Sequence, residues 1–133
     1  MNARVMRSVP LVVVFGMLPV IAEPQGRAGA PPSTTSIVEV VGCLVSGPNN
    51  SWALTNGTEP VVTATAGTTV EAVKAAEAKP LGKARYTLIG LSLLNPAPHT
   101  GHKMAVKGLL IKDSKEARIN VTSFQMAGAT CAR

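Results

Sequence analysis

The sequence predicts a small, mainly β domain: a five-stranded barrel with one short helix. Three observations support this prediction. Short β-branched runs are separated by turn residues, one alanine-rich segment has helix start and stop signals, and Gly108 interrupts a strand-like run. Because such apolar strands would aggregate through unpaired edges, closing them into a barrel is the favoured arrangement.

The N-terminus, residues 1–22, has the three parts of a secretory signal peptide. Arg4 and Arg7 form a positive start, residues 9–22 are an apolar run, and Val20 and Ala22 are the small residues before a cleavage site. The apolar run has 14 residues, and a membrane-spanning helix needs about 20. We therefore expect cleavage after Ala22, a periplasmic or secreted protein, and no transmembrane segment in the mature chain.

The remaining chain divides into a linker and one domain. Residues 23–36 are rich in Pro, Gly, Ser and Thr and have no apolar period, which is typical of a flexible linker. Residues 37–133 form the predicted barrel domain. A domain this small often needs a covalent cross-link, and Cys43 and Cys131 lie near its two ends.

The two cysteines predict one disulfide in an oxidising compartment. Closing so long a loop would stabilise the fold by roughly 4 kcal/mol in the chain-entropy model. The alternative is a pair of free or reactive thiols, although reactive pairs usually form a Cys-x-x-Cys motif. In the predicted barrel the first strand lies beside later ones, so Cys43 and Cys131 can meet.

The first half of the domain predicts two strands and the helix. Residues 37–45 are β-branched and residues 51–55 resume as a second strand before an Asn-Gly turn. Residues 59–65 either continue this strand or form a short one of their own. Residues 70–79 favour a helix.

The start and the packing of the helix are predicted by four residues. Thr68 and Glu71 match the capping box that begins a helix. A helix of about ten residues must lean on the sheet, because isolated helices of that length are marginal in water. We expect it to do so through Val70 and Val73.

Three further strands complete the barrel. Residues 84–94 predict the third strand, residues 95–101 a proline-rich loop, and residues 103–111 a fourth strand with Lys103 and Lys107 on its outer face. Residues 118–126 predict the fifth strand. Its apolar residues are odd-numbered up to Val121 and even-numbered from Phe124, so the alternation of inward-facing residues changes between the two. A β-bulge near Thr122 and Ser123 would reconcile the two halves.

Over residues 40–131 the chain resembles a family of small exported bacterial proteins of unknown function with an OB-like barrel. The shared positions are residues 41–44; Tyr86, Thr87, Leu88 and Gly90; His99, Gly101, His102 and Lys103; Val106 and Gly108; residues 119–123; and Cys131. The resemblance implies the OB-like fold, export and the cysteine pair, but no activity. The chain departs from the usual OB plan because its helix precedes the third strand.

Two histidines in the loop before the fourth strand suggest a metal site. His99 and His102 could bind zinc or copper, with Asp113 or Glu116 as a third ligand. The alternative is that His102 bonds to loop backbone in a tight turn. Because no helical pair of histidines reinforces the metal hypothesis, we predict no metal and no cofactor, and keep metal binding as the second hypothesis.

The charge pattern suggests a ligand face. The chain has a net charge of +6, and His99, His102, Lys103 and Lys107 form the candidate face for an anionic envelope ligand. A solvated strand face is the alternative. Few aromatic residues accompany the lysines, which argues against nucleic acid.

Catalytic patterns are weak in this sequence. It contains no G-x-S-x-G elbow and no close pair of carboxylates. We therefore expect an exported, disulfide-stabilised binding or structural module that is not an enzyme.

Overall fold

The structure, a computed structural model, describes residues 36–131. The predicted signal peptide and all of the predicted linker except Ser36 lie outside the described residues. The described chain forms, in order, β1 (Ile37–Ser46), β2 (Trp52–Gly57), β3 (Val61–Val62), α1 (Val70–Ala78), β4 (Ala84–Ile89), β5 (Lys103–Lys112) and β6 (Ala117–Gly128). Two short 3-10 turns, Pro48–Asn50 and Ala97–His99, interrupt the loops before β2 and β5.

Five of the strands close into a barrel. Each strand is hydrogen-bonded to the next in the order β1, β2, β4, β6, β5, and β5 pairs again with β1. The β4–β6 contact is parallel and the other contacts are antiparallel. The two-residue strand β3 lies outside the ring on β1, so the segment after β2 is a short strand of its own. The predicted five-stranded, OB-like barrel with one helix is confirmed.

The barrel interior is the main hydrophobic core. Its buried side chains come from every barrel strand, and the fully buried ones include Val40, Leu44, Leu54, Met104 and Ile119. Full burial of such a side chain stabilises the fold by roughly 1.5–3 kcal/mol. The hydrogen-bonded ring of strands therefore surrounds a continuous apolar centre.

The three aromatic residues of the domain, Trp52, Tyr86 and Phe124, lie in or against the core. Tyr86 is buried, and Trp52 and Phe124 pack against the core while remaining partly exposed. The Tyr86 hydroxyl donates a hydrogen bond to the carbonyl of Thr58 at 2.9 Å. Burial, and secondarily the charge of Glu59, raises the pKa of Tyr86.

The predicted β-bulge is present in β6. Lys107 faces Ser123, whereas the next residue, Gly108, faces Val121, which leaves Thr122 as the extra residue. A side chain at Gly108 would collide with the carbonyl oxygen of Asn120. The glycine therefore lets β5 and β6 approach closely where the register changes.

The helix begins one residue later than the capping box predicts. Thr69, not Thr68, is the N-cap, and its hydroxyl accepts a hydrogen bond from the Ala72 N–H at 3.2 Å. The hydroxyl of Thr68 instead bonds to that of Ser123 at 2.7 Å. Tertiary contact with β6 therefore decides which threonine caps the helix.

The helix packs on the outside of the barrel through Ala76, not through Val70. Ala76 is completely buried against a small cluster with Val41 and Ala105, whereas Val70 is 67% exposed. An alanine face allows the helix to lie close to the sheet. The expected packing through Val70 is therefore wrong, while Val73 is half-buried; the helix is rotated to bury Ala76 instead.

The third barrel strand is shorter than predicted. β4 ends at Ile89, because Gly90 adopts a positive φ of 81° that turns the chain away. Leu91 returns to the core, while Leu93 is 95% exposed. The predicted strand over residues 84–94 is therefore wrong in its second half.

Candidate functional site

Cys43 and Cys131 form a disulfide, as predicted. Their Cα atoms are 5.7 Å apart, and 88 residues separate them in sequence. Cys43 lies on the outer face of β1, paired across the sheet with Lys103 of β5. The disulfide therefore joins β1 to the segment after β6 beside one of the predicted ligand lysines.

Lys103 is bound to the C-terminal end of α1. Its ammonium group donates to the carbonyls of Glu77 and Lys79, both at 2.6 Å. These carbonyls have no intrahelical partners, and a cation is favoured at this end of the helix dipole. Lys103 therefore closes the last turn of the helix onto the barrel.

Lys107 is bound to the loop that leads into α1. It is 5% exposed, and its ammonium group donates to the Gly67 carbonyl at 2.8 Å and to the Thr65 hydroxyl at 3.2 Å. The carboxylate of Glu39 lies 3.8 Å away and also pairs with Lys79 at 2.9 Å. This buried ammonium group is satisfied by the protein itself.

The spacing of the two lysines matches the length of the helix. Four residues of β-strand span about 13 Å, and the nine residues of α1 also span about 13 Å. Lys103 and Lys107 can therefore hold the two ends of one helix from one strand. The predicted face is not an open, solvated surface, because both ammonium groups are engaged by the helix layer.

The histidine loop lies against the barrel. The ring of His99 is 5.6 Å from that of His102 and 5.8 Å from that of Phe124, both edge-on. The backbone on both sides of His102 is paired with Leu44: its carbonyl accepts from the Leu44 N–H at 3.1 Å, and Gly101 donates back at 2.8 Å. These contacts fix the loop as part of the fold.

The predicted third metal ligands are far from the histidines. Asp113 and Glu116 lie in the turn after β5, whereas His102 precedes β5, and its ten residues span about 30 Å. Asp113 accepts N–H bonds within its own turn and pairs with Arg118 at 3.4 Å. The proposed third ligand is therefore wrong, and residues 36–131 contain no group of three potential metal ligands.

A cleft of about 510 Å³ opens beside Lys103. We call it the lysine cleft; Lys79, Lys83, Lys103 and Asn56 line it, together with residues 80–82. The Asn56 side-chain nitrogen lies 3.9 Å from the sulfur of Cys43, so the disulfide borders this cleft. Sequence reasoning missed Lys79, the last residue of the predicted helix, and Lys83, which lies between that helix and the predicted third strand.

A second cleft, of about 580 Å³, lies at the start of β2. We call it the neutral cleft; its polar lining residues are Asn50, Ser51, Thr87, Ser92 and Asn95, and its apolar lining includes Trp52 and Ile89. No charged side chain of the described chain lines it. The sequence pattern placed Ser51 and Ser92 in predicted strands and Asn95 in the proline-rich loop, and nothing in it brought these segments together.

Comparison with protein-family models, curated proteins and solved structures finds no match for this chain. Membership of the family of exported OB-like proteins therefore stays a prediction, while the barrel itself is observed in the structure. Within residues 36–131 no helix has the length and hydrophobicity needed to cross a membrane.

Proposed function

We propose that the protein is an exported, non-enzymatic binding module that holds an anionic group in the lysine cleft. The observation that carries this proposal is the convergence of Lys79, Lys83 and Lys103 on one cleft of about 510 Å³. A cleft of this size suits a small ligand or one unit of a polymer. Export is supported by the disulfide and by the signal-like N-terminus.

The three lysines contribute differently to the cleft. Lys103 and Lys79 already bind helix carbonyls and Glu39, respectively, so they are held in place before a ligand arrives. The exposed Lys83 makes no hydrogen bond or ion pair within the described residues. Two fixed ammonium groups and one free one would bind a phosphate or carboxylate with little ordering cost.

Titration with short-chain polyphosphate and with polyglutamate tests this proposal. Lys83→Gln should weaken binding about fivefold, which corresponds to ~1 kcal/mol, and added salt should weaken it further. Lys115→Gln removes the same charge from the exposed β5–β6 turn and is the matched control. Equal weakening by both variants, or binding that does not depend on salt, would contradict an anion site in this cleft.

Binding of zinc or copper by His99 and His102 is a second candidate. It is favoured by one observation: the Nδ1 atoms of both rings are buried and have no hydrogen-bond partner in the described chain. Such atoms call for a water molecule or an ion. A rise in melting temperature with one metal that His102→Ala abolishes would support this candidate, and the absence of any rise would reject it.

A further inference from the structure

We propose that the neutral cleft binds an uncharged, hydroxyl-rich ligand, a neutral oligosaccharide. This site is independent of the lysine cleft, since the two clefts share no lining residue. The free polar groups of the lining, the exposed part of Trp52 and the absence of charge in the lining support this assignment.

Four of the five polar side chains around the neutral cleft are free; the fifth, Thr87, donates a hydrogen bond to Glu116 at 3.0 Å. Within residues 36–131, no hydrogen bond engages the side chains of Asn50, Ser51, Ser92 or Asn95. Asparagines in turns usually bond to nearby backbone, so two free amides facing one cleft are a departure from that habit. Each free amide can donate and accept hydrogen bonds at once, as a sugar hydroxyl requires of its partner.

Backbone hydrogen bonds restrain the loops that carry these amides. Asn50 and Asn95 have positive φ angles of 56° and 42°, and both belong to loops tied down by backbone hydrogen bonds. Gly47 donates to the Ser51 carbonyl at 2.8 Å in the first loop, and His99 donates to the Pro96 carbonyl at 2.9 Å in the second. The cleft is therefore formed before a ligand binds, which lowers the cost of binding.

Trp52 supplies an aromatic surface beside these amides. Its ring packs on the barrel core on one side and contributes to the cleft lining on the other. An indole ring with an apolar face that is partly exposed to solvent can stack on the C–H face of a sugar ring. The ring is immobilised by the core, so stacking on it costs little conformational entropy.

The charge of the lining decides between ligand classes. Single-stranded nucleic acid needs a basic groove beside its aromatic platform, and the lining of the neutral cleft has no Lys or Arg. A neutral sugar chain needs no basic residues for binding. The observations therefore favour a glycan over a nucleic acid.

The test is an NMR titration of the oxidised protein with maltohexaose, cellohexaose and chitohexaose. One of the three should shift the Trp52 indole and the Asn50 and Asn95 amide signals. Asn50→Gly keeps a backbone suited to positive φ and should weaken binding at least fivefold, about 1 kcal/mol. Asn49→Gly is the matched control, because Asn49 has nearly the same φ, 55°, and does not line the cleft.

Four outcomes would overturn the proposal. These are no binding of any hexasaccharide at about 10 mM, equal weakening by both glycine variants, loss of glycan binding in Lys83→Gln, and tighter, salt-dependent binding of hexathymidylate at the same signals. Polyphosphate binding with no glycan binding would leave the anion site standing and reject this one. Glycan binding with no polyanion binding would support this site and reject the anion site.

Discussion

The two clefts lie at opposite ends of β2 and use their side chains in opposite ways. At the lysine cleft, beside Asn56, the charged groups of Lys79 and Lys103 are already bound by the protein. At the neutral cleft, beside Trp52, the amides of Asn50 and Asn95 are free. Two of the three lysines at the first cleft therefore also join the helix layer to the barrel, whereas the two amides at the neutral cleft make no such contact.

Removing the disulfide should give the largest effect. The double variant Cys43→Ser/Cys131→Ser should lose about 4 kcal/mol of unfolding free energy, because its loop of 88 residues is no longer closed in the unfolded chain. Urea unfolding measures this loss. In the folded variant, chemical shifts should change around Asn56 and Lys103; changes that extend equally to Trp52 would break the separation of the two clefts.

Replacing the buried lysine should give the next largest effect. Lys107→Met keeps the apolar stem but leaves the Gly67 carbonyl without its ammonium partner and Glu39 with Lys79 alone, which should cost about 2 kcal/mol. Lys112→Met, at the exposed end of the same strand, should change stability by less than about 0.5 kcal/mol. Similar urea midpoints for the two variants would show that Lys107 does not hold the helix layer.

Acidification should have the smallest effect and act at the β5–β6 turn, which contacts the neutral cleft only through the Thr87–Glu116 hydrogen bond. N–H bonds from Glu116 and then Lys115, together with the charge of Arg118, hold the pKa of Asp113 below its usual value. Ionised Asp113 therefore stabilises the folded state. This stabilisation is fully present above the pKa of a free aspartate and is lost as the pH falls through the lowered pKa. Because Asp113 is exposed, this contribution is strongly screened by solvent.

A pH titration of the Lys115 and Glu116 amide signals measures this effect. Their midpoint should lie below the value of about 3.9 for a free aspartate, and Asp113→Asn should abolish it. Glu71→Gln, on the helix, is the control and should leave the turn unchanged. A midpoint at or above the free value would contradict the turn geometry.

The strand pattern was readable from the sequence because it depends on local periodicity. The parity change between Val121 and Phe124 predicted the bulge at Thr122, and the position of the cysteines predicted their bond. The roles of Lys103 and Lys107 were not readable, since the helix that covers them comes from a segment about 25–40 residues earlier. Their neighbours in space, Gly67 and Glu77, are set by tertiary packing.

The sequence predicted neither the correct helix cap nor the neutral cleft, and the physical reason is the same. Two adjacent threonines offer the same capping chemistry, and the contact of Thr68 with Ser123 across the fold decides between them. Similarly, Asn50 and Asn95 lie in loops that come together only because β2 pairs with β4. Turn propensity identifies such residues but does not say which of them face each other.

The closure of the barrel by β1 and β5 determines how the chain folds in time. β1 and β2 form a local hairpin, which assembles in microseconds, but Ile37 must also find Leu109 of β5. Pairings across such sequence distances are slow, on the scale of milliseconds to seconds. Until β5 arrives, one edge of apolar β1 stays open to other chains, so the interval before ring closure is when the protein is most prone to aggregate.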